Sequence, residues 1–243
     1  MEKKSCLVVG AGDATGGAIA RRFAREGFET CITRRPRHGD ALDELVAEIA
    51  KAGGSGHAFG VDARDEEATI ELFAKIEKDI APLEVVVFNI GANVWFPIVD
   101  TTTQVFRKVW EMATFAGFLT GREAARVMTP RGSGTILFTG ATAAIRGSTG
   151  FSAFSSAKAG LRNLSQSMAR ELGPKGIHVA HIVVDGMIDT PWGRENFPDA
   201  FKDPDADNVL MPDDIAENYW QLHRQPRNAW THEMDLRPFI ENW

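Results

Sequence analysis

The first segment of the chain whose residue types suggest ligand chemistry is a glycine-rich turn near the N-terminus. Gly10, Gly12 and Gly16 follow a short apolar run at residues 6–9 and open a segment of helical period. Glycines allow a tight turn and a close approach of backbone amides, and a helix N-terminus favours a negatively charged group. The pattern predicts a dinucleotide pyrophosphate site, with a turn that only packs helix against strand as the alternative. The loop residues expected to contact the dinucleotide are Gly10, Gly12, Asp13, Ala14, Thr15 and Gly16.

Charged residues further along the chain predict which dinucleotide binds. Arg34 and Arg35 follow the second predicted strand, and the next acidic residue is Asp40. An acidic residue directly after the strand would bind the ribose 2′-hydroxyl of NAD, whereas arginines accept the 2′-phosphate of NADP. The sequence therefore favours NADP(H) over NAD(H), with a solvated basic loop as the alternative. Asp62, after the third predicted strand, is either an acceptor for the adenine amino group or a turn residue.

Strand and helix patterns alternate along the whole chain and must position these residues. We predict strands at residues 6–9, 30–33, 57–61, 85–88, 135–138 and 177–184. Helices are predicted at residues 16–25, 41–52, 66–79, 102–128, 152–172 and 213–222. The alternation predicts an α/β fold of the Rossmann type, a doubly wound parallel sheet in three α/β/α layers, with the ligand at the carboxyl ends of the strands. No repeat or linker divides the chain, so we expect one domain over residues 1–243, with a substrate loop and tail over residues 185–243.

The composition excludes several other classes of protein. The chain has 243 residues, 44% of them hydrophobic, and a net charge of −6. That hydrophobic content excludes a disordered chain, and the mild acidity argues against a nucleic-acid binder. No apolar run approaches the ~20 residues of a membrane span and the N-terminus has no signal-peptide pattern, so we expect a cytoplasmic protein that does not bind membranes. Two cysteines are too few for a disulfide framework or a metal cluster, and no metal is expected.

Taken together, the ordered motifs resemble the short-chain dehydrogenase/reductase family over nearly the whole chain. The resemblance is carried by the glycine loop and by four later segments: Val61-Asp62, Asn89-Ile90-Gly91-Ala92, Phe154-Ser155-Ser156-Ala157-Lys158 and Ile188-Asp189-Thr190-Pro191. It implies a Rossmann-type fold that binds NAD(P), a homodimer or homotetramer, and hydride transfer between an alcohol and a carbonyl.

The resemblance also implies where individual residues contact the cofactor. Asn89 would lie near the adenosine ribose, Lys158 would hydrogen-bond the nicotinamide ribose, and Ile188 and Thr190 would lie near the carboxamide. The remaining contacts expected from the matching motifs are Ala63, Gly91 and Gly186.

The chain departs from the family at the positions that carry its acid–base chemistry. Phe154 stands where the family has its tyrosine, Ala141 where it has its serine, and Thr114 where it has an asparagine. Phe154 has no proton to give and Ala141 has no hydroxyl, so ordinary carbonyl chemistry cannot be assumed. The only tyrosine of the chain, Tyr219, lies outside any such motif. Two smaller departures are Ala14 in place of a glycine, and Asp185-Gly186 in place of a Pro-Gly pair.

Several residues are candidates to replace the missing groups. Lys158 either holds the cofactor ribose or reaches the substrate as an acid. The hydroxyl of Thr142, or of Ser155 or Ser156, either replaces the serine or makes only local hydrogen bonds. Asp185 is a base, a partner of Lys158 or a turn residue, and His181 is expected to be a core histidine.

Aromatic and apolar residues after the fourth and sixth strands predict an apolar substrate. The residues expected to line its pocket are Asn93, Trp95, Asp185, Met187 and Trp192. The leading hypothesis is an NAD(P)(H)-dependent oxidoreductase with a non-standard active site, acting on a small apolar molecule. Reduction of an activated C=C or C=N bond would fit better than ketone reduction. The alternatives are a catalytically silent NADP(H)-binding sensor or oligomer partner, and a redox-neutral isomerase or cyclase.

Overall fold

The computed structural model describes residues 3–12, 14–202 and 207–241, and seven strands among them form one parallel sheet. The sheet order is β3-β2-β1-β4-β5-β6-β7, and every neighbouring pair is parallel. The strands are β1 (Ser5–Val9), β2 (Glu29–Arg34), β3 (Ser55–Gly60), β4 (Leu83–Phe88), β5 (Gly134–Thr139), β6 (Ile177–Val184) and β7 (Glu233–Leu236). The strand order reverses between β1 and β4, which is where such sheets bind ligands.

Helices cover both faces of this sheet, as the alternating pattern predicted. They are α1 (Thr15–Arg25), α2 (Gly39–Lys51), α3 (Glu66–Asp79), α4 (Thr103–Trp110), α5 (Ala116–Met128), α6 (Ser152–Leu172), α7 (Pro191–Asn196) and α8 (Pro212–His223). The predicted Rossmann-type α/β fold is therefore confirmed. No helix in the described part of the chain is both long and apolar enough to span a bilayer.

Two hydrophobic layers pack against the sheet because successive residues of a strand face opposite sides. In β4, Val85 and Val87 contact the layer formed with α1, α2 and α8. Val86 and Phe88 contact the layer formed with α3, α5 and α6. All four side chains are completely buried, which explains why β4 is continuously apolar rather than alternating.

The structure differs from the predicted elements at two places. The helix expected over residues 102–128 contains a π-helical turn, Glu111–Phe115, between α4 and α5. The tail contains α7 and the edge strand β7, neither of which was predicted. The sequence of β7, Glu-Met-Asp-Leu, has charged residues where a buried strand would be apolar, because a strand at the sheet edge is exposed.

The lowered pKa values of three histidines indicate how the stability of the folded chain depends on pH. Burial lowers the pKa of His181 and of His223 to about 4, and it lowers the pKa of His178 as well. At pH values between the ordinary histidine pKa of about 6.5 and the lowered pKa values of the folded chain, the unfolded chain binds more protons than the folded chain. We therefore expect the free energy of unfolding to fall as the pH is lowered from about 6.5 towards 4, measured by urea denaturation. Substituting His223→Gln should make this dependence shallower, and a free energy that stays constant over the same range would contradict the assignment.

Candidate functional site

Two adjoining cavities lie at the carboxyl ends of the strands around the reversal in strand order. The larger has a volume of about 970 Å³ and the smaller about 220 Å³. The larger is lined by predicted cofactor contacts and by predicted catalytic positions: Gly10, Gly12, Ala14, Thr15, Gly16, Asn89, Gly91, Asn93, Ala141, Thr142, Phe154, Lys158, Gly186, Ile188, Thr190 and Trp192. The smaller is lined by the other predicted cofactor contacts, Arg34, Arg35, Asp62 and Ala63, together with Gly10, Gly12, Asn89 and Gly91. Asp13 lies outside the described residues.

Close backbone packing shapes the glycine loop. Gly10 ends β1 with a φ of +91°, a conformation that side chains disfavour. A Cβ atom on Gly16 would lie 2.8 Å from the Cα of Ala11 and 2.9 Å from Nδ2 of Asn89. Among the described residues, no side chain makes a capping hydrogen bond at the N-terminus of α1, so the positive end of this helix faces the cavity. This arrangement fits a pyrophosphate.

Asn89 connects the glycine loop to the end of β5. Its Nδ2 donates a hydrogen bond to the carbonyl of Gly10 at 3.1 Å, and its Oδ1 accepts one from the hydroxyl of Thr139 at 2.9 Å. The side chain therefore lies across the reversal point and links strands β1, β4 and β5 at their carboxyl ends.

Lys158 is a buried ammonium in the wall of the larger cavity. Its Nζ donates to the carbonyls of Thr139 at 2.8 Å and Ile90 at 3.0 Å. Burial lowers the pKa of this amine to about 8. The ring centroid of Phe154 is 6.0 Å from Nζ. The side chain one helical turn before Lys158 on α6 is therefore the hydrocarbon ring of Phe154.

The surroundings of Phe154 are apolar as well. Its side chain is 8% exposed and packs in a small cluster with Val109, Ala113 and Ala157, against which Ala141 also packs. None of these five side chains carries a group that can donate a proton.

Thr142 lines the cavity, but its hydroxyl has a partner. It donates a hydrogen bond to a carboxylate oxygen of Asp185, which is buried. Because a hydroxyl has one hydrogen, Thr142 cannot donate to a substrate oxygen at the same time. The hydroxyls of Ser155 and Ser156 donate to backbone carbonyls one turn earlier in α6. The local-bond interpretation therefore describes all three hydroxyls.

Asp185 interacts with arginines. Its second carboxylate oxygen lies 3.8 Å from a guanidinium nitrogen of Arg146 and 3.8 Å from one of Arg237. Asp185 and Met187 alternate with Val184, Gly186 and Ile188, which line the larger cavity. Asp185 and Met187 themselves line neither of the two cavities.

Two further predicted residues lie beside the cavities rather than in their walls. Trp95 packs against Gly150 and is 58% exposed. Thr114 lies in the π-helical turn, where its hydroxyl donates to the carbonyl of Ala157 at 2.6 Å. Of the described residues expected to contact ligand, Thr114, Trp95, Asp185 and Met187 are therefore the ones that neither cavity wall includes.

The smaller cavity is predominantly basic. Arg34 and Arg35 line it together with Arg64, and Asp62 is its one carboxylate among the described residues. Asp62 accepts hydrogen bonds from Arg64 at 2.6 and 3.0 Å, and this pairing lowers the pKa of the carboxyl. It also accepts the backbone N–H of Arg64, so the turn interpretation describes its geometry.

The structure adds residues that the sequence analysis missed. Thr139 follows the predicted fifth strand directly, and this position at the carboxyl end of a central strand was the available signal. Ile90 and Pro191 lie within segments that carry the family resemblance, and Val184 ends the predicted sixth strand. The remaining residues lie in loops or in helical turns that the sequence pattern does not mark. The added wall residues of the larger cavity are Ile90, Thr139, Gly140, Ala143, Arg146, Ser148, Phe151, Val184, Pro191 and Glu195.

The fold is an α/β fold of the Rossmann class, with the two cavities at the carboxyl ends of its strands. The family model for short chain dehydrogenases matches residues 4–200, so the match ends before α8. The chain belongs to the short-chain dehydrogenase/reductase family.

Individual relatives agree with this membership. The chain is similar to a solved short-chain dehydrogenase from Rhodopseudomonas palustris, with 50% identity, 97% of this chain and 99% of that chain covered, and a TM-score of 0.83. It is 30% identical to a short-chain dehydrogenase/reductase of Armillaria gallica over 76% of this chain and 71% of the relative. It is 29% identical to a 3-oxoacyl-[acyl-carrier-protein] reductase of Mus musculus over 82% of this chain and 81% of the relative.

A pair of glycine substitutions tests the packing of the loop. Gly16→Ala places a methyl group against Gly10, Ala11 and Asn89, so we expect a loss of about 1–3 kcal/mol in the free energy of unfolding. Gly12→Ala is the matched control because its Cβ would meet no atom within 4 Å, and its expected effect is below about 0.5 kcal/mol. Urea denaturation measures both, and equal losses would contradict the close packing at Gly16.

Proposed function

We propose that this protein is an NADP(H)-dependent oxidoreductase with a non-standard reaction site. The observation that carries the proposal is the contrast between the two ends of the larger cavity. One end has the glycine loop and the N-terminus of α1, while the other has Phe154 and Ala141 beside Lys158. The cofactor, when bound, supplies or accepts a hydride at its nicotinamide.

Charge in the smaller cavity supports NADP(H) over NAD(H). Three arginines face one carboxylate there, and that carboxylate is already paired with Arg64. The described residues of this wall therefore carry a net positive charge and lack a matching amount of negative charge. A 2′-phosphate would supply that negative charge, and arginine binds phosphate through paired N–H donors.

The proposed roles of the chain's residues follow from their positions. The glycine loop and the N-terminus of α1 hold the pyrophosphate, and Asn89 keeps the loop in place. Two carbonyls at the ends of β4 and β5 hold the ammonium of Lys158 in the cavity wall, where it would hydrogen-bond the cofactor ribose. Ile188 and Thr190 border the nicotinamide end of the cavity.

The reaction proposed for this site needs little help with proton transfer. Phe154 and Ala141 have no group that could donate a proton, and the hydroxyl of Thr142 donates its hydrogen bond to Asp185. Hydride addition to an activated C=C bond leaves the negative charge on a delocalised, enolate-type system that solvent can protonate, and hydride addition to a protonated C=N bond gives a neutral amine. The substrate proposed is small and apolar, because Phe151, Phe154 and Trp192 form much of the wall at this end.

The same apolar reaction position favours a second candidate, a silent NADP(H)-binding protein. In that case the cavity binds cofactor without turnover. Exposed aromatic side chains on α4 and α5, Phe106, Trp110 and Phe118, support a homo-oligomer in either case.

Restoring the two missing groups tests the proposed reaction site. The double substitution Phe154→Tyr with Ala141→Ser places a phenol beside Lys158 and a hydroxyl opposite it. A general acid contributes about 10²–10⁴-fold, so we expect ketone-dependent oxidation of NADPH to rise by at least about 10²-fold over the wild type. The measurement is the loss of NADPH absorbance with a panel of aryl and alkyl ketones.

Phe151→Tyr is the control for this experiment because it adds a phenol to the same cavity but not at the position four residues before Lys158. We expect it to leave the rate at the wild-type level. Equal rates for the double variant and the wild type, with NADPH still bound, would contradict the proposed role of Phe154 and Ala141.

Replacing one arginine tests the cofactor preference. We expect Arg35→Ser to raise the dissociation constant for NADPH about 10-fold and to leave that for NADH within about 2-fold, because NADH lacks the 2′-phosphate that Arg35 would bind. Arg37→Ser is the control, since Arg37 is exposed and contacts His38 rather than the cavity. Titration calorimetry measures the affinities, and an unchanged ratio of the two constants in Arg35→Ser would overturn the assignment.

A further inference from the structure

The only tyrosine of the chain makes a hydrogen bond at the edge of the larger cavity. Tyr219 lies on α8, is completely buried, and places its hydroxyl 2.7 Å from the hydroxyl of Thr139. Thr139 lines the cavity at the end of β5. The phenol reaches it from the layer of helices formed by α1, α2 and α8.

Counting hydrogens fixes the direction of this bond. Thr139 has one hydroxyl hydrogen, and it donates that hydrogen to Oδ1 of Asn89 at 2.9 Å. Tyr219 must therefore donate to Thr139. Asn89 in turn donates from Nδ2 to the carbonyl of Gly10. The result is a directed chain of three hydrogen bonds from the phenol to the glycine loop.

The amide at the end of this chain limits the shape of the loop. Nδ2 of Asn89 lies where a Cβ on Gly16 would come within 2.9 Å, and the backbone of Asn89 would lie 3.0 Å from a Cβ on Gly10. Asn89 thus occupies the space between the first and last glycines of the loop. If its amide rotated, the carbonyl of Gly10 would lose its side-chain donor.

Thr139 joins this chain to Lys158 as well. While its hydroxyl serves Asn89, its backbone carbonyl accepts the Nζ hydrogen bond of Lys158 at 2.8 Å. Asn89 and Lys158, two of the residues to which the proposed function assigns a role at the cofactor, therefore both bond to Thr139. Tyr219 bonds to the hydroxyl of this same residue.

We propose that Tyr219 is a positioning residue of the cofactor site, which orients Thr139 and Asn89 so that the glycine loop is kept ready for a dinucleotide. The inference rests on the proposed NADP(H) site. It assigns a role in ligand binding to α8, which lies beyond the part of the chain that the family model matches. Burial also raises the pKa of the phenol well above its ordinary value, so the hydroxyl keeps its proton at neutral pH.

Removing the hydroxyl alone tests the proposal. Tyr219→Phe keeps the ring in the core and ends the hydrogen-bond chain at Thr139. One intramolecular hydrogen bond corresponds to about 3- to 10-fold in an equilibrium constant, so we expect the dissociation constant for NADPH to rise by that factor. The measurement is titration calorimetry of the full chain with NADPH, with the melting temperature without cofactor recorded alongside.

Thr135→Val supplies a matched control. Thr135 and His223 share a hydrogen bond of 3.0 Å that also joins β5 to α8, near the start of the strand and away from the glycine loop. We expect this variant to lower the melting temperature as Tyr219→Phe does, while leaving the affinity for NADPH unchanged. Equal weakening of NADPH binding in both variants would mean a general loss of packing and would overturn the proposal.

Thr139→Val interrupts the same chain from the other side and serves if Tyr219→Phe does not fold. It should weaken NADPH binding at least as much as Tyr219→Phe, and the double variant should bind no worse than Thr139→Val alone. Additive losses, or wild-type affinity in both single variants, would overturn the positioning role. Failure of the wild type to bind NADPH would instead overturn the proposed function, so the two failures are distinguishable.

Discussion

The site depends on the burial of one ammonium group. Lys158 is removed from water, and an isolated buried charge is costly unless hydrogen bonds compensate for it. Here the compensation comes from two backbone carbonyls, of Thr139 and Ile90, at the ends of adjacent strands. The ammonium therefore fixes the carboxyl ends of β4 and β5 relative to α6. Asn89 then extends the same arrangement to the end of β1.

Around this lysine, the two ends of the cavity differ in what they can do. The end near β1 retains close backbone packing, an uncapped helix N-terminus and basic side chains, all of which suit a phosphorylated ligand. The end near α6 is hydrocarbon at Phe154 and Ala141, and the hydroxyl of the adjacent Thr142 donates to Asp185. The described residues therefore offer several groups that suit a phosphorylated ligand, whereas Phe154 and Ala141 offer none that could donate a proton.

Much of the fold could be predicted because it depends on local pattern. The helices over residues 66–79 and 152–172 and the strand over residues 177–184 end where the apolar periodicity and the glycine signals placed their ends. The edge strand β7 could not be found in this way, since its pairing with β6 is made by the backbone and its side chains are half-exposed. The π-helical turn at Glu111–Phe115 also leaves no mark on apolar spacing.

The candidate site was predictable where a residue follows a strand directly, as Asn89 and Gly10 do. It was not predictable where a side chain's partner is distant in sequence. Nothing near Thr142 indicates that Asp185, 43 positions away, takes its hydroxyl hydrogen. The same holds for Thr139 and Tyr219, which are 80 positions apart. Such pairs determine which polar groups remain available for chemistry, and they exist only in the folded chain.

In our proposal, this chain keeps a dinucleotide site although it has Phe154 and Ala141 at the positions of the family's acid–base groups. Titration calorimetry of the wild-type chain with NADPH and with NADH tests it most directly. We expect NADPH to bind with one site per chain and at least about 10-fold more tightly than NADH, because arginines would bind the extra phosphate. Absence of binding by both nucleotides would contradict it, because the glycine loop and Lys158 would then form a site without a cofactor.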